Sequence, residues 1–326
     1  MSASLVAVFG GSAVAQVAPD PPALPDDGAT TPMADPDPPL SPTSVPAQPS
    51  PSLPGPHAHD PTGKFQIGAG YGTDSHFFAH AGISQSNLFG SGDFLALDAQ
   101  MSSLQQLFEV RFIAPHFLDS DFSFAPTLYN ERRVLPGFTR ETTGGTFTLS
   151  HAIGDHTTVF GGYRLEDVTA TPDDLTIAAR GETVPTPLLR GGTISALRAG
   201  IAYSTLDYPA MPLHGSSAGM TAELAEPWLG SDFQLTRINT WANTHQSIGP
   251  FTLHLGGSLA SVTSSDPFGV PLNERLFLDG SSQIRGFAPG ALGPVDPLTG
   301  LSLGGNFLVT GHAELEVPVS RRLGLS

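Results

Sequence analysis

Apolar and polar residues alternate with a period of two from Lys64 to the end of the chain, and this alternation constrains the fold most. In one such segment Phe108, Val110 and Phe112 share one face, opposite Glu109 and Arg111. A period of two is typical of β-strands with two unlike faces. About twelve segments follow the pattern and none shows a convincing helical period, so the sequence predicts an all-β protein.

Two all-β architectures compete, a soluble sandwich and a membrane barrel, and the lengths of the connections favour the barrel. Counted from Lys64, the long connections are predicted after odd-numbered strands at about 130–140, 167–192 and 263–304. Those after even-numbered strands are shorter, at 87–93, 115–121, 153–156, 207–216 and 246–250. Long loops on one rim and short turns on the other are typical of outer-membrane barrels. We therefore predict a transmembrane antiparallel β-barrel over residues 64–326, with its first strand rising from the periplasm.

Composition and motifs argue against several classes of function. The formal net charge of −16 disfavours nucleic acid as a partner, and the absence of cysteine excludes thiolate metal sites. Gly215–Gly219 matches a G-x-S-x-G nucleophile motif around Ser217, but a nucleophile elbow needs a strand-to-helix turn, whereas this segment opens a predicted strand. The sequence therefore predicts no catalytic residue, no metal ligand and no cofactor.

The first 63 residues differ from the rest of the chain. Residues 1–15 resemble the apolar stretch and small-residue cleavage site of a secretory signal peptide, although they lack a basic start. Fifteen of the 31 prolines lie in residues 16–63, a stretch with six Asp and no Lys or Arg. Such a composition buries too little apolar surface to offset its ordering entropy. We predict a disordered periplasmic tether here.

The most specific motifs lie in the connection at 263–304 and in the strand after it. They are Ile284-Arg285-Gly286-Phe287, then Gly304-Gly305-Asn306, then Ala313-Glu314-Leu315-Glu316-Val317-Pro318. This set resembles the sixth extracellular loop and the following strand of the BamA/TamA superfamily, also called the bacterial surface antigen family. Asn87-Leu88-Phe89-Gly90 and Ala222-Glu223-Leu224 resemble further motifs of that family, so the resemblance covers nearly all of 64–326.

The resemblance implies an outer-membrane protein that assembles and inserts other proteins into that membrane. Its partners would be outer-membrane lipid, unfolded outer-membrane proteins and other subunits of an assembly machinery. The phase of the last strand places Glu316 on the lumenal face. A guanidinium group can donate two parallel hydrogen bonds to a carboxylate in such a position, so Arg285 is a suitable partner for Glu316. The family resemblance implies the same pairing. The loop at 263–304, here called loop six, would then fold inward and plug the lumen.

Two departures from the family pattern leave alternatives open. Residues 16–63 are too short and too proline-rich for a periplasmic POTRA domain. About twelve strands are visible where the family has sixteen, so the barrel is expected to be incomplete at its carboxyl end. A polypeptide-secretion pore of the same superfamily and a non-functional truncated remnant therefore remain as alternatives to an assembly factor.

Overall fold

The fold is all-β in a computed structural model that describes residues 7–11, 63–72, 76–135, 137–172, 189–207, 212–249, 251–278, 292–296, 302–320 and 323–325. Its strands are β1 Ala7–Gly11, β2 Gly63–Gly72, β3 His76–Leu88, β4 Asp93–Ser102, β5 Gln105–Ile113, β6 Phe122–Leu135, β7 Phe138–Ile153, β8 Thr157–Pro172, β9 Gly192–Ser204, β10 Gly215–Ala225, β11 Leu235–Ile248, β12 Phe251–Thr263, β13 Phe307–Ser320 and β14 Leu323–Leu325. Three 3₁₀ turns, Phe117–Asp119, Pro227–Leu229 and Leu272–Glu274, lie in the connections.

Strands β2 to β13 form one continuous antiparallel meander, in which each strand pairs with the next along the chain. This confirms the predicted twelve antiparallel strands. β1 pairs in parallel with β13, and the short β14 also pairs with β13. Within the described residues β2 and β13 do not pair with each other, so the sheet is open. None of the helices in the described part of the chain is long and apolar enough to cross a membrane.

The sheet has two chemically different faces, which follow from the alternation in the sequence. One face, here called the inner face, carries buried charged residues such as Arg140, Arg164 and Glu223. The opposite, outer face is apolar and exposed along the whole meander. It includes Phe65, Ile67, Ile83, Leu97, Met101, Phe108, Val110, Leu128, Phe147, Leu165, Leu197, Ile201, Met220, Leu255 and Leu315. An apolar band around an all-antiparallel sheet suits contact with lipid.

The connections confirm two of the three predicted long loops and correct the third. Residues 173–191 link β8 to β9, and loop six occupies 264–306 between β12 and β13. The long connection predicted at 130–140 is wrong, because only residues 136 and 137 separate β6 from β7. Arg132 of β6 lies opposite Glu141 of β7, and its Nε is 3.3 Å from Glu141 Oε1. The charged residues there continue a hairpin instead of forming a loop.

The apolar core lies between the inner face and the loops that fold onto it. One cluster joins strand residues such as Ile194, Leu235 and Val262 to Phe233 and Val270 from two different loops. A second cluster joins Leu135 and Phe138 to Leu272 of loop six. The described part of loop six is therefore packed inside the curved sheet.

Candidate functional site: loop six on the inner face

Loop six reaches the inner face through the 3₁₀ turn Leu272–Glu274, which follows an extended Pro271. All three residues of this turn are buried, and Glu274 is only 2% exposed. Its carboxylate accepts hydrogen bonds from Nη2 of Arg140, at 3.2 Å, and from Nη2 of Arg237. One acidic side chain of the loop thus binds two arginines on separate strands, β7 and β11.

Glu274 completes a larger group of side chains, the inner charge cluster. Its members are Tyr129, Arg140, Arg164, Glu166, Arg198, Glu223, Arg237 and Glu274. Arg164 lies at the centre and donates to Glu166, at 2.7 Å, and to both carboxylate oxygens of Glu223. Bidentate pairing of this kind fixes the orientation of a guanidinium as well as its charge.

Register explains why charges from five strands meet. Glu223 of β10 lies opposite Arg198 on β9 and opposite Arg237 on β11. Residues directly opposite each other on one face of an antiparallel pair have Cβ atoms about 5 Å apart. Arg164 and Glu166, two residues apart on β8, extend the same face toward Arg140.

The charge balance of the cluster depends on the loop. The inner charge cluster contains four arginines and three glutamates. Without Glu274 of loop six, the strands alone would hold four arginines and two glutamates. Buried charges are stable only when they are paired and hydrogen-bonded. Withdrawal of loop six would therefore expose two arginines, Arg140 and Arg237, that lose a carboxylate partner.

A second contact holds loop six at the outer rim, through Arg190 in the connection between β8 and β9. Its guanidinium donates to Asp266 Oδ2 of loop six, at 2.8 Å, and to the backbone carbonyl of Asp232, at 3.0 Å. It also lies 4.7 Å from the ring centroid of Phe233, within the range of a cation–π contact. The backbone N–H of Phe268 and the Arg190 guanidinium both lower the pKa of the Asp266 carboxyl by hydrogen bonding.

The predicted motif Gly304-Gly305-Asn306 lies where loop six returns to the sheet. Gly305 exchanges two backbone hydrogen bonds with Leu276, at 2.7 and 2.8 Å, and the carbonyl of Asn306 accepts one from Val262. Gly304 has φ +58°, and a Cβ there would lie 2.9 Å from the carbonyl oxygen of Leu276. Glycine is thus required at this position both by conformation and by space.

The predicted partners Arg285 and Glu316 are only partly described. Ile284, Arg285, Gly286 and Phe287 lie outside the described residues, so their pairing stays a prediction. Glu316 shares a face with Thr252 and His254, as its phase predicts, and its Oε2 lies 3.4 Å from His254 Nε2.

Sequence reasoning missed Glu274, although it is the buried acid that anchors the described part of the loop. The available signal was its position as the only carboxylate between Asp266 and Asp279 in a loop opposite strands that carry Arg140, Arg164, Arg198 and Arg237. That signal was weak, because the sequence alone does not show which part of a 40-residue loop enters the sheet.

The motif around Ser217 is part of strand β10, where Ser217 lies opposite Asn243. The strand-to-helix turn that a nucleophile elbow needs is therefore not formed there. In the described part of the chain there is also no group of three or more His, Asp or Glu residues arranged to hold a metal ion.

An antiparallel meander with an apolar outer face, a charged inner face and an inward-folded loop defines the class of outer-membrane β-barrel domains. Comparison with known families identifies the family within this class. Residues 87–326 match the Omp85 superfamily domain. The chain belongs to the Omp85 superfamily.

Individual relatives agree with this assignment. The chain is 26% identical over 271 residues to the outer membrane protein assembly factor BamA of Nitratidesulfovibrio vulgaris, covering 81% of this chain and 33% of that protein. It is 28% identical over 282 residues to the BamA of Neisseria meningitidis serogroup B, covering 79% and 34%. The chain therefore spans about one third of the length of these relatives.

A solved structure shows the same fold. The crystal structure of BamA from Haemophilus ducreyi lacking POTRA domains 1–3 matches with a TM-score of 0.66 and 22% sequence identity. The match covers 80% of this chain and 54% of that one. At this identity the likeness concerns the fold alone.

Proposed function

We propose that this chain forms the barrel part of an outer-membrane assembly factor, which promotes insertion of other β-barrel proteins into the outer membrane. The observation that carries the proposal is the match of about four fifths of the chain to relatives named as assembly factors. Strand β2, the first of the antiparallel meander, supports it, because within the described residues one edge of β2 has no partner strand. A free strand edge is a template on which another strand can pair.

The proposed mechanism is non-covalent and needs no catalytic residue, metal or cofactor. An incoming unfolded outer-membrane protein would pair its backbone with an exposed strand edge of the sheet. Lipid would contact the apolar outer face, the amino terminus would be periplasmic, and other assembly subunits would bind on the periplasmic side.

The inward position of loop six favours an assembly factor over the alternative, a secretion pore. A pore needs a continuous aqueous path, whereas here Glu274, Leu272 and Val270 fill space against the inner face. Each of these residues is buried, so loop six fills the space beside β7 to β11, whereas within the described residues the inner face of β2 to β5 has no such cover.

The test is a folding assay with the chain reconstituted in vesicles of phosphatidylethanolamine and phosphatidylglycerol. An unfolded eight-stranded barrel protein is added, and its folded fraction is followed by heat-modifiable gel migration. We expect folding to be several-fold faster than in empty vesicles or in vesicles that hold an equal mass of an unrelated barrel. An unchanged rate would reject the proposed activity, and a large, permanent ion conductance would support the pore instead.

A further inference from the structure

Two large apolar side chains protrude from neighbouring turns on one rim of the sheet. Phe89, in the turn between β3 and β4, is 98% exposed, and Leu118, between β5 and β6, is 83% exposed. Phe94 at the start of β4 pairs with Ile113 at the end of β5, so the two turns leave adjacent strands. Two strand spacings separate them, on the order of 10 Å.

Both residues have a backbone conformation that is unusual for their side chains. Phe89 has φ +53° and Leu118 has φ +55°, in the left-handed region. Glycine or asparagine commonly takes this conformation, whereas a bulky residue there is strained. Strain of this kind persists where the surrounding structure imposes it, and it is a reason to look for function. Asp119, next to Leu118, shares the left-handed conformation, with φ +56°. Each turn therefore presents a large apolar side chain from a left-handed segment.

Several polar groups of the first turn are paired within the turn itself. Ser91 Oγ donates to the Leu88 carbonyl and contacts Asp93 Oδ2, both at 2.6 Å, and Asn87 Oδ1 accepts from Gly92 N at 2.8 Å. Each polar group that is paired in this way costs less when the turn leaves water, since unpaired polar groups are the costly ones to bury.

The second turn is continuous with the lipid-facing surface. Phe117, next to Leu118, packs on Phe124 of β6 with ring centroids 4.8 Å apart. Phe124 lies 6.4 Å from Phe147 on β7, and Phe147 stacks on Tyr163 of β8 at 5.8 Å. This aromatic row leads from the turn along the outer face, so the apolar surface does not end at the strand ends.

We propose that Phe89 and Leu118 are membrane anchors that insert into the boundary between lipid headgroups and acyl chains, on the leaflet facing the periplasm. The inference rests on the proposed membrane location and adds a lipid-binding surface to it. Aromatic and aliphatic side chains at this boundary anchor membrane proteins, because it accepts an apolar body beside hydrated groups. The partner is thus the lipid surface, not a protein.

The chain contains no cysteine, so single spin-labelled cysteines test this directly. We compare Phe89→Cys and Leu118→Cys with Asp155→Cys, at the polar tip of the β7–β8 turn on the same rim, and with Leu165→Cys on the outer face. Each variant is reconstituted in phosphatidylethanolamine and phosphatidylglycerol vesicles. Depth is read from the accessibility of the label to oxygen relative to a water-soluble nickel chelate.

We expect the labels at 89, 118 and 165 to prefer oxygen several-fold more than the label at 155. If the label at 165 is immersed while those at 89 and 118 match 155, the anchor proposal is overturned and the membrane location stands. If none of the labels is immersed, the membrane location itself fails.

A double variant, Phe89→Asn with Leu118→Asn, separates anchoring from turn formation, because asparagine tolerates the left-handed conformation. We expect its heat stability in detergent to equal or exceed that of the parent chain, while the fraction inserted into vesicles falls several-fold. Equal losses in detergent and in vesicles would assign the two residues a structural role and overturn the proposal.

Discussion

The two halves of the sheet are stabilised in different ways. Strands β7 to β11, the plugged wall, bury Arg140, Arg164 and Arg237 beneath loop six, each below 7% exposure. Strands β2 to β5, the bare wall, have no such cover, and among their described residues only Gly82 and Ala96 are buried. The same alternating pattern thus forms both walls, but only the plugged wall buries its inner-face side chains under a loop.

This difference separates what a strand needs to form from what it needs to be stable. The backbone ladder is continuous through both walls. In the plugged wall, loop six adds ion pairs and apolar contacts, whereas the bare wall depends on lipid outside and on strand pairing at its edge. Edge strands without a partner tend to pair with other chains.

The edge of the bare wall gives the largest expected effect. In lipid each unpaired backbone group costs several kcal/mol, so an open β2 is strongly disfavoured. We expect the chain in a bilayer either to close β2 onto β13, with β1 displaced from its parallel pairing there, or to pair β2 with a second molecule. Cysteines at Gln66 on β2 and at Thr310 or Glu314 on β13 would then cross-link within or between chains. A monodisperse bilayer preparation in which no pair cross-links would contradict this expectation.

Removal of the carboxylate of Glu274 tests the plugged wall. Glu274→Ala leaves Arg140 and Arg237 without that partner, and breaking a buried pair typically costs about 3–5 kcal/mol. We expect loop six to become sensitive to added protease and amide exchange to rise in β7 to β11 but not in β2 to β5. The matched control is Glu141→Ala, which removes an exposed partner of Arg132 and should cost about 0–1 kcal/mol. Equal effects of the two substitutions would mean that Glu274 does not hold the loop.

The sequence contained enough information for the sheet but not for the plug. Strand identity and faces follow from alternation, as Glu109 and Arg111 opposite Val110 illustrate. The hairpin at 130–140 is hard to recognise from sequence, because a basic pair such as Arg132-Arg133 is also typical of a solvated loop. On a strand that extends past the apolar band, such residues pair across the hairpin instead, as Arg132 does with Glu141.

The plug depends on contacts between residues far apart in the chain. Glu274 meets Arg140, which lies 134 positions earlier, and Arg237, 37 positions earlier. No local pattern encodes such a meeting. The motif Gly304-Gly305-Asn306 is recognised through its resemblance to the family. The left-handed φ of Gly304 is a local requirement, whereas its close approach to Leu276 is a contact between distant residues.

Arg285 and Glu316 give a smaller expected effect, since the Glu316 side chain is 43% exposed. A partly solvated pair should be worth about 1 kcal/mol, near the value for exposed pairs. We expect Arg285→Ala and Glu316→Ala to raise the protease sensitivity of loop six by similar amounts, and the double variant to be little worse than either. Strictly additive effects would show that the two residues do not interact. Glu274 would then be the remaining residue for which contacts support a role in anchoring loop six.

The contact of Asp266 with Arg190 at the outer rim should give the smallest effect, and it should depend on pH. The pKa of Asp266 is lowered in the folded state, first by the backbone N–H of Phe268 and then by Arg190. Its contribution to stability is therefore complete above the ordinary value of 3.8 and is lost as the pH falls through the lower, folded-state pKa.

We therefore expect the protection of residues 264–270 against amide exchange, measured relative to the intrinsic exchange rate at each pH, to fall in the parent chain as the pH drops below 3.8. The Asp266→Asn variant should lack this step and should exchange faster already at pH 5. Because the contact lies in the outer loops, exchange in the bare wall, β2 to β5, should stay unchanged over the same pH range. A step of equal size in the Asn variant would assign the acid sensitivity of the rim to another group.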